Sequence, residues 1–327
     1  MVTGGRLAPM TRVAAIDCGT NSIRLLVADV DLSSGSLVDL TRRMEVVRLG
    51  QGVDRTGRIA PEALERTLEA AGRYARVCEE LGVERLRFVA TSASRDAENR
   101  QDFVDGVHAA LGVEPEVIGG EEEARLSFRG ATGVLAGRHP GPFLVVDLGG
   151  GSTELVLGEG EPEAAWSMDV GCVRMTERHL RSDPPTPDEV AGARADVRAA
   201  LDQASAVVPF GRAATLVGLA GSVTTVTAHA LGLTRYEPER IDGAVLPVQA
   251  VLTSCEDLLA RDREARASLG FMHPGRVDVI GAGALVWSEV VARVQRDVAA
   301  AGGSLDEVVT SEHDILDGIA WSAAERA

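Results

Sequence analysis

Aromatic residues make up only 3% of the 327-residue chain, too few for the stacking platforms that hold single-stranded nucleic acid. Positive charge is short as well. The 33 basic residues against 49 acidic ones leave a net charge of −16, which argues against nonspecific binding to nucleic acid or to an anionic membrane. No apolar run reaches the roughly 18 residues of a membrane span. Residues 1–11 carry Gly, Pro and polar side chains where a signal peptide would need an apolar core. Cys18, Cys78, Cys172 and Cys255 lie far apart, with no C-x-x-C pair. They read as reduced, buried thiols of a cytoplasmic protein, and neither as a disulfide frame nor as a zinc site. Low-complexity tracts are missing too. The remainder, 45% hydrophobic and 25% charged, is the composition of a globular protein with length enough for two domains.

The chemistry concentrates in glycine turns. In Val145-Val146-Asp147-Leu148-Gly149-Gly150-Gly151-Ser152-Thr153-Glu154 an apolar strand meets an acid, three glycines and two hydroxyls, then turns apolar again. Glycines let backbone N–H groups approach an anion, hydroxyls add donors, and Asp147 and Glu154 suit a hard cation such as Mg2+. A plain hairpin looks similar, but a second copy follows the same grammar: Val13 to Asp17, then Cys18-Gly19-Thr20-Asn21-Ser22, then an apolar strand. Two such hairpins, each opening half of the chain, point to a duplicated domain gripping a phosphorylated ligand between its copies. A third turn, Gly218 to Thr225, places small residues and hydroxyls at the start of an apolar helix, where the macrodipole favours anions.

Between these turns the pattern predicts strands over Val13–Asp17, Ile23–Val30 and Leu37–Leu49, a helix from Pro61 to Leu81 stopped by Gly82, and a strand Leu86–Ala90. A helix over Ala97–Leu111 and a short strand Glu116–Ile118 follow. A helix then opens on Glu121-Glu122-Glu123 and runs to Ala136; acids in a first turn ordinarily complement the dipole. The second half repeats the meander over Phe143–Asp147, Thr153–Leu157 and Ala164–Val170. Helices are expected over Asp188–Val207, up to Leu231, Leu246–Leu259, into Ala300 and over Asp314–Ala324, with strands Thr215–Leu219 and Val308–Thr310 and an irregular stretch at 232–246. His273, alone beside Pro274-Gly275, reads as a loop hydrogen-bonder in preference to a metal ligand.

The stretches AIDCGTNSIRLLV, ATSASRDAENR (90–100), GGEEEARLSF (119–128), VVDLGGGSTELVLG (145–158) and SEHDILDGIA (311–320) together resemble the exopolyphosphatase/guanosine pentaphosphate phosphatase (Ppx/GppA) family. The likeness is to its short actinobacterial-type members, which stop after two domains. The resemblance implies an α/β fold of two actin-like (ASKHA, ribonuclease H-like) ATPase domains with a cleft between them. The boundary falls near 125, giving domains at 1–124 and 125–327, with the C-terminal helix able to return to the first.

The resemblance also implies an exopolyphosphatase that releases orthophosphate from the end of inorganic polyphosphate, with guanosine pentaphosphate (pppGpp) hydrolysis or a weakly catalytic regulator of alarmone or polyphosphate binding as alternatives. It implies a homodimer. The general base, aligned through Ala124 and Arg125, is Glu122, with Glu121 leaving the register among the three acids open. Asp147 and Glu154 position Mg2+ with Asp17 as helper. Gly19, Thr20, Asn21, Ser22, Gly149, Gly150, Gly151, Ser152 and Thr153 hold the terminal phosphates, and Arg95 contacts a phosphate oxygen. For an enzyme acting on a polyanion the net charge must be overcome locally, by Mg2+, turn amides and placed arginines.

Overall fold

The computed structural model describes residues 10–135 and 137–326; the expected helix end at Ala136 lies outside them. Strands β1 (Thr11–Cys18), β2 (Ser22–Asp31) and β3 (Ser36–Val46) form the antiparallel meander. Side chains alternate across a strand, so β1 feeds two cores: Ala14, Ile16 and Cys18 on one face, Val13 and Ala15 on the other. After α1 (Val53–Thr56) comes α2 (Pro61–Glu80), with proline in its first turn and Ala63, Thr67, Ala70, Tyr74 and Cys78 buried. Strand β4 (Arg85–Ala90) lies parallel to β1. The helix expected over 97–111 is α4 (Arg100–Leu111), starting three residues later, and the loop ahead of it holds a short helix, α3 (Ser92–Asp96). The break is a tertiary effect. The Glu98 amide donates to the Gly57 carbonyl, while the Asn99 side chain accepts from the Ile59 amide and donates to its carbonyl. Strand β5 (Glu116–Val117) completes a sheet ordered β3-β2-β1-β4-β5.

Helix α5 (Gly120–Leu135) leads to the second sheet. Its meander is β6 (Phe143–Leu148), β7 (Thr153–Gly158) and β8 (Pro162–Met168). Then come α6 (Cys172–Arg178), α7 (Pro187–Ser205), β9 (Thr215–Leu219) and α8 (Ala220–Ala230). The stretch expected to be irregular holds α9 (Pro238–Ile241) and β10 (Val245–Pro247), a short edge strand on the last strand of the sheet. Helices α10 (Val248–Ala260), α11 (Arg263–Ala267) and α12 (Ile280–Ala300) precede β11 (Glu307–Thr310) and α13 (Ile315–Glu325). The order is β10-β11-β9-β6-β7-β8, so both sheets pair a meander with parallel strands on its first member.

Two helices cross between the sheets. Helix α5 lays Ala124, Phe128, Ala131 and Leu135 on Phe143, Val145 and Val156 of the second sheet. Helix α13 lays Ile315, Leu316, Ile319 and Ala323 on Val13, Ala15, Leu26 and Ala28 of the first. Where they meet there is no room for a side chain: a Cβ on Gly130 would fall 1.8 Å from the Asp314 carbonyl oxygen, and one on Gly318 would fall 2.0 Å from that of Leu126. This crossing sets the β1–β2 and β6–β7 turns face to face.

Candidate active site

The two turns are built alike. In each, the first glycine amide donates to the hydroxyl residue's carbonyl three positions on: Gly19 to Ser22 at 3.0 Å and Gly149 to Ser152 at 3.0 Å. Turn carbonyls are consumed inside the protein. Those of Thr20 and Asn21 accept from Gly50, Val47 and Arg48, and those of Gly149 and Gly150 from Cys172, Val173 and Arg174. Among the described residues the Thr20, Asn21, Gly150 and Gly151 amides have no such acceptor, which leaves a concavity of donors suited to an anion. Gly150 and Gly151 face Thr20 and Ser92, whose hydroxyls share a 2.8 Å hydrogen bond. Between the turns lies a cavity of about 100 Å³.

Asp17, Gly19 to Ser22, Asp147, Gly149, Gly150, Ser152 and Glu154 all line it, together with Glu123 and, from the third turn, Ala220, Gly221 and Ser222. Ala220 holds φ at +68°, a conformation that costs a residue with a Cβ about 1–2 kcal/mol, so the turn is held in shape by its surroundings. Of the other residues expected here, the Thr153 hydroxyl turns away to donate to the Val170 carbonyl, and Gly151 stands behind Gly150 against Ser92. Arg95 does not reach the cavity. Its guanidinium donates to the Ile118 carbonyl at 3.0 Å and to Glu123 at 3.2 Å.

Glu122 also lies elsewhere. Successive residues of a helix point about 100° apart, so the three acids opening α5 diverge. Glu121 pairs with Arg125 on the surface, Glu122 is half exposed and pairs with Arg87 in an outer groove, and Glu123 is buried toward the cavity. The phase was readable: Glu123, Ser127 and Gly130 fall at helical spacing on one buried face, and the Ser127 hydroxyl donates to Asp147 at 2.6 Å. E-E-A-R read along the chain points to Glu122, whereas around the helix it is Glu123 that turns to the cavity.

Burial raises all four acids of the cavity. Burial, then the charges of Asp147 and Asp17, lift the Glu123 carboxyl to about 8 against the pull of Arg95. Asp147 rises to about 6, through burial and then Asp314. Glu154, to which Ser167 donates at 2.7 Å, rises well above its ordinary value through burial, then Glu123 and Asp147. Asp17 is also raised by burial, opposed by Arg24. Arg24 is the residue that sequence reading missed. It faces Asp17 across β1–β2 as Glu154 faces Asp147 across β6–β7, and it donates to Asp17 and to Asp314 at the start of α13. The same seven-residue offset in both copies of the hairpin was its signal.

An all-oxygen donor set of carboxylates and hydroxyls is what a hard cation takes, and four acids raising one another's affinity for protons describe a site short of positive charge. The residues therefore fit Mg2+ in chemistry. Among the described residues no three acids, histidines or cysteines converge as a ready-made cage.

A duplicated α/β lobe, paired glycine turns and a buried acid cluster between them narrow the comparison, and a sequence profile of the Ppx/GppA phosphatase family matches residues 26–312. The chain belongs to this family. Exopolyphosphatase 2 of Mycobacterium tuberculosis is 54% identical, over 96% of this chain and 99% of its own. The crystal structure of an exopolyphosphatase-like protein superposes with a TM-score of 0.93 at 48% identity, covering 96% of this chain and 98% of that one. The Ppx/GppA family member of Aquifex aeolicus gives 0.77 at 28% identity, covering 98% and 100%. The Ppx/GppA fold is the actin-like α/β fold in two copies, which accounts for the two sheets. Free, buried cysteines and a His273 whose ring nitrogen accepts from the Gly275 amide at 3.1 Å agree with the sequence reading. Among the described residues no helix is long and apolar enough to cross a membrane.

Proposed function

We propose that the protein is an exopolyphosphatase, hydrolysing the terminal phosphoanhydride bond of inorganic polyphosphate to release orthophosphate, with Glu123 as general base. The observation that carries this reading is a cluster of buried carboxyls, Glu123 among them, facing a cavity walled by two amide-lined turns. The name of the 54%-identical relative supports the substrate.

The turns bind the terminal phosphoryl group through the amides of Thr20, Asn21 and Gly150 and the hydroxyls of Thr20 and Ser152. Glu123 accepts a proton from a water, whose oxygen bonds to the terminal phosphorus as the bridging oxygen leaves with the shortened chain. A base that titrates near neutrality is matched to this task. Arg95 and Ser127 act behind it: Arg95 fixes the Glu123 carboxylate, and Ser127 orients Asp147. Asp147 and Glu154, with Asp17 nearby, would hold Mg2+ together with water and substrate oxygens; bound there it neutralises charge on the phosphoryl oxygens. Closure of the two lobes, divided near residue 125, excludes bulk water from the cavity.

Phosphate release from long-chain polyphosphate, with guanosine pentaphosphate in parallel and with Mg2+ or excess chelator, tests the reading. It predicts Mg2+-dependent release from polyphosphate. Release from guanosine pentaphosphate alone would replace the substrate, and release from neither would overturn the assignment.

A further inference from the structure

The second glycine turn is seated on a helix that also reaches the opposite lobe. The Gly149 carbonyl accepts from the Cys172 amide at 3.0 Å, and that of Gly150 from the Val173 and Arg174 amides at 2.9 and 3.1 Å. Gly171, just ahead of α6, lies on the turn backbone: a Cβ there would fall 2.4 Å from the Gly150 carbonyl oxygen and 2.6 Å from the Gly151 nitrogen. No side chain separates α6 from the turn, so the two move as one piece.

The side chains of the same helix point across the cleft. Arg174, Glu177 and Arg178 stand at i, i+3 and i+4, on one face. Arg174 donates to Asp54 at 2.9 Å and to Asp96, Arg178 donates to Asp54 at 2.7 Å, and Glu177 accepts from the Gly52 amide at 3.0 Å. The space enclosed at this contact is about 10 Å³, room for one water at most, so the lobes meet here directly. Arg174 does more than bridge. Its Nε donates to the Gly151 carbonyl at 2.7 Å. One planar fork therefore holds the turn with one nitrogen and two acids of the other lobe with the remaining pair. The carbonyl it holds belongs to the Gly151–Ser152 peptide, and Ser152 lines the catalytic cavity.

The first turn has a weaker counterpart. The Asn21 carbonyl accepts from the Val47 and Arg48 amides at 3.1 and 2.8 Å, and the Arg48 side chain crosses to Asp278 at 3.0 Å. Arg48 and Asp278 are 40% and 34% exposed, against 11% and 20% for Arg174 and Asp54. Exposed pairs contribute little, whereas charged hydrogen bonds taken out of water are strong, so the Arg174 connection dominates.

Resting on the reading of these turns as the phosphate cradle, we propose that α6 couples the approach of the two lobes to the shape of the second turn, with Arg174 as the positioning residue. With the lobes together, Asp54 and Asp96 hold the guanidinium against the Gly151 carbonyl and fix the Gly151–Ser152 peptide. When the lobes part, the fork loses its anchors and the turn relaxes. Phosphate in the turn then favours closure by the same factor by which closure favours phosphate.

Two cuts separate this coupling from a purely local hydrogen bond. Asp54→Asn with Asp96→Asn releases the guanidinium from the far lobe and touches no residue of the turn, while Arg174→Met releases it from both sides. Hydrogen–deuterium exchange of the unliganded full chain reads the turn through the amides at 172–174, which the turn carbonyls protect. The far cut should speed their exchange about tenfold, with strands β6 and β9 at parental rates. Equilibrium binding of tripolyphosphate with Mg2+, in a Glu123→Gln background that stops turnover, should weaken about tenfold for either cut. Both cuts together should weaken it no further than Arg174→Met alone. Removing two acids would by charge alone strengthen anion binding, so the expected loss has the opposite sign. Unchanged exchange and affinity after the far cut, equal acceleration in the core strands, or additive losses overturn the inference. If tripolyphosphate binds no variant, the polyphosphate reading fails and the exchange rates still decide the coupling.

Discussion

Glu123 carries its proton in the folded protein up to about 8, because burial and the neighbouring Asp147 and Asp17 oppose its charge, whereas its ordinary value is 4.5. Between those two values the native state binds more protons than the unfolded chain, so this residue's contribution to stability falls as pH rises, by up to about 1.4 kcal/mol per pH unit. The unliganded protein should therefore melt at progressively lower temperature from pH 5 toward pH 8, and Glu123→Gln should flatten that slope; equal slopes in both proteins would place the titration elsewhere. Mg2+ should raise the melting temperature most at the upper end of the range, where the acids it neutralises are ionised. Much of the cavity wall was legible at this scale because the two hairpins share one grammar. Glu123 and Arg24 were harder. The first depends on the phase of a helix, which a motif read linearly ignores, and the second on noticing that a basic residue in one copy stands where an acid stands in the other.

Helices α5 and α13 do most of the positioning. The contact of Gly130 with the Asp314 carbonyl and of Gly318 with that of Leu126 leaves no space for a methyl group. Gly130→Ala or Gly318→Ala should thus push the helices apart and cost several times the roughly 1 kcal/mol that glycine ordinarily concedes to alanine within a helix. Denaturant unfolding checks this, and a stabilising substitution at either site would refute the crossing. At the third turn the sign reverses. Ala220 already bears a positive φ, so Ala220→Gly should stabilise by up to about 1 kcal/mol. The longer elements followed from periodicity and glycine punctuation, whereas the short helices α1, α3, α9 and α11 did not. Nor did the break between the short helix at 92–96 and α4, since hydrogen bonds from Glu98 and Asn99 to residues 57–59 decide where α4 begins. Strand β10 escaped notice because three residues at a sheet edge give too short a pattern to read.

Across the cleft the two lobes are also tied at the rim. Arg174 and Arg178 of α6 reach Asp54 at 2.9 and 2.7 Å, Arg174 also pairs with Asp96, and the Gly52 amide donates to Glu177 at 3.0 Å. Asp54→Asn with Asp96→Asn removes one side of this clasp and leaves both cores intact. Small-angle scattering of the unliganded variant should show a larger radius of gyration than the parent, while an unchanged radius would mean that the α5–α13 crossing alone sets the lobe angle. Sequence duplication made the two sheets visible; their mutual angle depends on contacts between residues 78 or more positions apart. The most direct test of the whole account sets Glu123→Gln beside Glu122→Gln in phosphate release from long-chain polyphosphate with Mg2+. The account predicts a loss of about 10²–10⁴-fold for Glu123→Gln with polyphosphate binding retained, and near-parental turnover for Glu122→Gln. A large loss confined to Glu122→Gln, or full activity in Glu123→Gln, would contradict it.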